Sequence, residues 1–95
     1  MSDDQLVERT VEIVNRAGMH ARPAAELVKL AGRFAAEIRL EKDGLEVNGK
    51  SIMGVLMLAA EMGSRLTISA TGADAEDAVT ALSDLVGRGF DDEQA

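Results

Sequence analysis

The chain has 95 residues, 46% of them hydrophobic and 28% charged, and a formal net charge of −7. This length and balance predict one globular domain. The acidity and the lack of Tyr and Trp argue against a nucleic-acid-binding surface, which needs clustered Lys and Arg and aromatic rings on which bases stack. Without cysteine, the chain has no disulfide and no thiolate metal site.

The N-terminus does not have the pattern of a signal peptide, because MSDDQLVERT begins with acids and lacks an apolar core. The longest apolar run is IMGVLMLAA, whereas a membrane-spanning helix needs about 20 apolar residues. A cytoplasmic protein that makes no membrane contact is therefore expected.

The first half of the chain predicts a strand, a helix and a hairpin. Residues 6–14 (LVERTVEIV) alternate in polarity with period two, which is typical of a strand. Apolar side chains then recur at helical spacing and predict an amphipathic helix over residues 22–33; they are Ala24, Leu27, Val28, Ala31 and Phe34. Residues 36–49 (AEIRLEKDGLEVNG) predict two alternating strands joined by a turn at Asp43-Gly44.

The second half predicts a short helix after Ser51, a strand over residues 64–71 (SRLTISAT) and a last helix. Asp74 is predicted to cap that helix, whose buried face comprises Ala75, Ala78, Val79, Leu82 and Leu85. Residues 90–95 (FDDEQA) are interpreted as a frayed acidic tail, although Phe90 itself, like Phe34, is expected to be a core or hinge residue. The order is β-α-β-β-α-β-α, an α+β fold with a sheet covered on one face, and the whole chain is one domain with an ordered core over about residues 6–88.

The segment GMHARPA, residues 18–24, contains the only histidine and the only proline of the chain. Gly18 permits a sharp reversal from strand to helix. The first turn of a helix presents backbone N–H groups, here those of Ala21 and Arg22, and attracts anions. A neutral imidazole is a nucleophile. We therefore interpret His20 as a residue that accepts a phosphoryl group, which the helix start and the Arg22 guanidinium then hold without a metal.

A simpler interpretation of His20 is a polar capping or surface residue. The chain has no second histidine with which to bind a metal. The spacing also identifies no serine that would form a catalytic triad with His20.

Ser51 lies where a helix cap is expected, since serine is among the preferred N-cap residues. Ile52, Met53 and Leu56 follow it on a helix too short to bury every side chain. Some of these residues are therefore expected to form an exposed patch that docks partner proteins, in which methionine adapts to several shapes.

Together, GMHARPAAELVKLA and NGKSIMGVLML resemble the two signature segments of HPr, the histidine-containing phosphocarrier of the bacterial phosphotransferase system. The segment LTISATGADAEDAVTAL is similar to the last strand and helix of that family, so the resemblance covers residues 7–88. It implies an open-faced β-sandwich with an antiparallel sheet in the order 1-4-2-3 and three helices on one face.

The resemblance also implies a function. His20 would accept a phosphoryl group on Nδ1 from Enzyme I, whose own donor is phosphoenolpyruvate, and pass it to the IIA domains of sugar permeases. Arg22 and the backbone amides of Ala21 and Arg22 would hold the phosphate. Ser51 matches the serine that HPr kinase/phosphorylase modifies. The protein would be a monomeric carrier rather than an enzyme, without a cofactor.

Two alternatives stay open: a regulatory phosphocarrier with little direct sugar transport, and a non-catalytic interaction domain in which His20 is structural. An acyl carrier protein is excluded by the predicted strands. One position departs from the family, because Ala17 stands where serine or asparagine is common. One hydrogen bond near the phosphate is thereby lost, worth about 1 kcal/mol.

Overall fold

The structure is a computed structural model that describes residues 5–91. Its strands are β1 (Leu6–Glu12), β2 (Glu37–Lys42), β3 (Leu45–Asn48) and β4 (Arg65–Thr71). Its helices are α1 (Ala21–Ala31), α2 (Ile52–Met57) and α3 (Ala75–Gly87), followed by one 3-10 turn at Gly89–Asp91. The predicted element order is confirmed. The first helix ends at Ala31, two residues earlier than predicted, and Gly32 is its C-cap.

The four strands form one antiparallel sheet in the order β1-β4-β2-β3, as predicted. Successive side chains of a strand point to opposite faces, and the register aligns the apolar positions on the face that the helices cover. Leu40 pairs with Ile68 on one side and with Val47 on the other, and all three are buried. The opposite face is polar: the hydroxyls of Thr10 and Thr67, a directly paired couple, lie 3.0 Å apart.

The hairpin between β2 and β3 has the predicted two-residue turn. Asp43 and Gly44 both have positive φ, 52° and 87°, as a type I′ turn requires. The turn therefore places Lys42 opposite Leu45 and fixes the register of the hairpin.

Both long helices bury the side chains that their periodicity predicts. In α1, Ala24, Leu27 and Ala31 are fully buried, while Val28 and the following Phe34 pack partly buried against the core. In α3, all five predicted positions are buried. The core is accordingly mainly aliphatic, and it holds α1 and α3 on the sheet.

The prediction that Asp74 caps α3 is correct for its position and wrong for the hydrogen bonds of its side chain. Asp74 is the N-cap of α3 by position, but its side chain does not cap the helix. Its carboxylate instead accepts hydrogen bonds, each of 2.8 Å, from the backbone N–H groups of Ala35 and Ala36. These bonds, the one from Ala35 foremost, lower the pKa of Asp74. The carboxylate thus ties the start of α3 to the segment that leads into β2.

The predicted tail begins too early. Gly89, Phe90 and Asp91 have φ of 67°, 59° and 54°, so the chain turns left-handedly after α3, and the Phe90 side chain is only 7% exposed. Burial of an aromatic ring offsets the cost of a positive φ at a non-glycine residue. Phe90 therefore belongs to the core, as expected of this ring, whereas its assignment to the tail is wrong. Residues 92–95 of the predicted tail lie outside the described residues.

Candidate functional site

His20 is the N-cap residue of α1, in extended backbone conformation (φ −83°, ψ −173°) and half-buried. Its carbonyl accepts the first intrahelical hydrogen bond, from Ala24 N at 3.0 Å. Its side chain does not cap the helix. The imidazole is therefore at the helix start, as predicted, without serving that helix as a cap.

The turn before His20 is held by close backbone contacts. Gly18 has φ +71°, and a Cβ there would lie 2.6 Å from the Ala60 carbonyl oxygen and 2.9 Å from Glu61 Cα. Met19 N donates to that Ala60 oxygen at 2.8 Å, and the side chain of Met19 is buried. The segment that follows α2 thus fixes the backbone immediately before His20.

The start of α1 provides a positive environment for an anion. Helix geometry directs the N–H groups of Ala21 and Arg22 out of the helix start, while Pro23 has no N–H. Ala21 and Arg22 are exposed, and the first turn contains no acidic residue that would oppose an anion. The macrodipole adds roughly half a positive charge at this end, and Arg22 adds a full one. The site is suited to a phosphoryl group bonded to His20.

Beside Arg22 lies an open cavity of about 310 Å³, lined by Arg22, Pro23, Glu26, Phe90 and Asp91. Arg88 donates to Asp91 at 3.3 Å and also pairs with Asp84, which positions the Asp91 carboxylate at the wall of this cavity. The sequence did not predict that Phe90 and Asp91 lie beside Arg22, because residues 90–95 were assigned to a tail. The hydrophobic periodicity of the sequence gives no signal that residues 90 and 91 lie beside α1.

Ser51 is the N-cap of α2, as predicted. Its backbone is extended (φ −113°, ψ 117°), and its Oγ accepts a hydrogen bond from Gly54 N at 3.1 Å. The side chain is half-buried. The preceding Lys50 donates from Nζ to the carbonyl of Phe34 at 2.7 Å, so the segment before Ser51 is tied to the loop after α1.

The predicted docking residues are exposed: Ile52 by 40%, Met53 by 70% and Leu56 by 37%. Sequence reasoning missed Met57, which is 66% exposed and lies one helical turn after Met53. We call these four residues the α2 patch. Within α2 only Val55 is buried, so this short helix turns most of its apolar surface to solvent. The i, i+4 spacing of Met53 and Met57 is the signal that could have identified the missing member.

The structure places the start of α1 and the α2 patch on neighbouring elements. Helices α1 and α2 pack against each other, and the segment that follows α2 carries the Ala60 carbonyl that binds the turn before His20. Within residues 5–91 no three acidic, histidine or cysteine side chains are placed to bind a metal ion. No helix among these residues is long and apolar enough to cross a membrane.

The fold and the site together define a small open-faced α+β protein that presents a single histidine at a helix start. Residues 7–88 match the PTS-HPr family, described as the HPr component phosphorylation site of the phosphotransferase system. The phosphocarrier protein HPr of Treponema pallidum is 46% identical over 88 residues, which cover 93% of this chain and the full length of that protein. The HPr-like protein Crh of Halalkalibacterium halodurans is 48% identical over 77 residues, 81% of this chain and 92% of that protein.

Among solved structures, that of HPr-C-His from Thermoanaerobacter tengcongensis superposes with a TM-score of 0.88 at 46% identity, covering 92% of this chain and 98% of that one. The chain belongs to the PTS-HPr family of phosphocarrier proteins.

Proposed function

We propose that this protein carries a phosphoryl group on His20, taking it from Enzyme I and delivering it to the IIA domains of sugar permeases. The observation that carries the proposal is the placement of His20 as an N-cap residue whose side chain does not cap the helix. Family membership supports phosphocarrier chemistry in general, and the geometry of the helix start supports this residue in particular.

In the proposed step the Nδ1 lone pair of His20 attacks phosphorus. The N–P bond forms while the bond between phosphorus and the donor atom on Enzyme I breaks, and that atom leaves with the bonding electrons. The negative oxygens of the phosphoryl group then lie over the helix start, where the amides of Ala21 and Arg22 and the Arg22 guanidinium stabilise them. The reverse sequence, with a IIA domain as the acceptor, returns the protein to its initial state, so it is a carrier rather than an enzyme.

The test is incubation of the purified protein with Enzyme I and phosphoenolpyruvate, followed by mass spectrometry of the intact chain. The expected result is a gain of one phosphoryl group that is lost in acid, stable in base and absent in His20→Ala. Circular dichroism establishes that the variant is folded. A gain that persists in His20→Ala, or no gain while a reference HPr is phosphorylated, would contradict the proposal.

The role of Arg22 can be separated from net charge by a matched pair. Arg22→Ala is expected to slow phosphorylation roughly tenfold or more, because hydrogen bonds to charged groups contribute about 1.5–3 kcal/mol. Arg33→Ala removes the same charge from an exposed residue beyond the other end of α1 and is expected to leave the rate unchanged. Equal rates for the two variants would remove Arg22 from the phosphate site.

We further propose that HPr kinase/phosphorylase modifies Ser51 and thereby regulates the docking of partners. A phosphate on an N-cap residue is compatible with its own helix start, and here it would stand next to the α2 patch. The expected result is ATP-dependent phosphorylation that Ser51→Ala abolishes. Ser51→Asp should reduce transfer from Enzyme I. Unchanged transfer by that variant would oppose the regulatory role.

The alternative is a regulatory phosphocarrier with little direct sugar transport, which the 48% identity to an HPr-like protein Crh favours. The two functions differ in the fate of the phosphoryl group. A carrier for transport passes it from His20 to purified IIA domains, whereas a regulatory protein retains it in their presence. The expected monomeric state stays a prediction.

A further inference from the structure

The exposed methionines form a chemically distinct feature of the surface. The chain contains five methionines and no cysteine, so no thiol competes with the thioethers for an oxidant. Met53, Met57 and Met62 are 70%, 66% and 58% exposed, whereas Met19 is 4% exposed. Among the methionines of residues 5–91, those that peroxide can reach therefore lie on α2 and in the segment after it, and the buried Met19 provides an internal reference.

We propose that Met53 and Met57 are peroxide-sensitive modification sites whose oxidation weakens the binding of partner proteins to the α2 patch. The inference rests on the proposed function and takes Enzyme I, the proposed phosphoryl donor, as the protein that docks on the α2 patch. In the reaction the thioether sulfur attacks one oxygen of hydrogen peroxide and the O–O bond breaks. An S=O bond forms and, after proton transfer, water leaves; sulfur is oxidised by two electrons and the peroxide is reduced by two.

The position of the two sulfurs gives the modification its effect. Met53 and Met57 are spaced i, i+4 and lie on one face of α2, so a partner that covers the patch desolvates both. A sulfoxide is a polar acceptor, and its burial without a hydrogen bond is unfavourable. The fold itself should tolerate the change, because both side chains are mainly solvent-exposed. The side chain with which α2 packs into the core is that of Val55.

The test treats the protein with hydrogen peroxide, removes the peroxide, and maps the oxidised methionines by mass spectrometry of peptides. Sulfoxide is expected at Met53, Met57 and Met62 well before Met19. The KM of Enzyme I for the treated protein should rise about tenfold with kcat unchanged, because the loss is in binding. Methionine sulfoxide reductases should restore the original KM.

Two variants identify the responsible residues, each compared with its own untreated sample. In Met53→Leu/Met57→Leu the rise in KM on treatment should disappear. In Met62→Leu, which alters an exposed methionine outside the α2 patch, the rise should persist in full. A thermal unfolding midpoint that treatment leaves unchanged shows that the effect is on docking rather than on the fold.

The inference is overturned if Met53 and Met57 are oxidised and KM does not change, if the double variant responds like the parent chain, or if treatment unfolds the protein. Its failure is distinguishable from that of the proposed function. An untreated protein that takes up no phosphoryl group on His20 refutes the carrier role, whereas one that does so and keeps its KM after oxidation refutes only the redox site.

Discussion

Substitution of Gly18 by alanine tests how the turn before His20 is built. Its φ of +71° costs a non-glycine residue about 1–2 kcal/mol. The new Cβ would also lie 2.6 Å from the Ala60 oxygen and 2.9 Å from Glu61 Cα. Both are backbone atoms that no rotamer change can move, and such overlap costs about 1–3 kcal/mol. The free energy of unfolding should therefore fall by about 2–5 kcal/mol, out of about 5–14 kcal/mol for a chain of this length.

Two other glycines separate the cost of the positive φ from the cost of the steric overlap. Gly63 has φ +92°, and a Cβ added there would meet no other atom within 4 Å, so Gly63→Ala should lose only the backbone part, about 1–2 kcal/mol. Gly87, the last residue of α3, has open space and no positive φ. Gly87→Ala should leave stability unchanged or raise it by up to about 1 kcal/mol.

The assay is urea unfolding followed by far-UV circular dichroism, since the chain has no Trp or Tyr for intrinsic fluorescence. Phosphorylation by Enzyme I at low urea provides a second readout. Gly18→Ala should slow it because the substitution displaces the contact between Met19 and Ala60, whereas Gly63→Ala should not. Equal stability and equal rates for Gly18→Ala and Gly63→Ala would show that the contact of Gly18 with Ala60 and Glu61 does not hold the turn before His20.

Three further substitutions have expected outcomes. Ser51→Ala removes the Oγ that caps α2 and should lower the free energy of unfolding in urea by about 1 kcal/mol. No loss would show that the cap does not stabilise the protein. Phe90→Ala should cost about 3 kcal/mol, and a loss under about 1 kcal/mol would return Phe90 to the tail. The lowered pKa of Asp74, due first to the hydrogen bond from Ala35, means that its carboxylate stabilises the fold above the ordinary aspartate pKa of about 4. That stabilisation is lost as the pH falls through the lowered folded-state pKa. Thermal midpoints measured across that acidic range should decline less in Asp74→Asn than in the parent chain, and parallel declines would contradict the assignment.

The elements of this fold could be predicted from sequence because their signals are local. The pair Asp43-Gly44 specifies its turn through its own backbone preferences. The strand and helix periods specify which side chains are buried. The position of His20 at a helix start was predicted in the same way, since Gly18 and Pro23 mark a reversal and a helix start within a few residues of it. The family resemblance added the sheet order, which no local period determines.

The features that sequence reasoning missed depend on partners far along the chain. Asp74 satisfies a cap preference by its position, but its carboxylate binds the amides of Ala35 and Ala36, 38–39 residues away. Two backbone donors in one orientation outcompete the single donor that a cap offers. Phe90 is buried by contact with the core at a position where the local sequence, rich in Gly and Asp, is typical of a chain end. Such choices are decided by tertiary packing and not by neighbours in sequence.

The starts of helices α1 and α2 differ in whether the N-cap side chain stabilises the helix that follows. His20 and Ser51 are both N-cap residues in extended conformation, but only Ser51 gives its side chain to the helix that follows. Helix α2 has six residues and one buried side chain, so it depends on its cap. Helix α1 has eleven residues and buries Ala24, Leu27 and Ala31, so packing stabilises it without a cap. A long, well-packed helix can therefore dispense with a side-chain cap at its first turn, where we propose that His20 carries a phosphoryl group, whereas a short helix such as α2 loses stability without its cap.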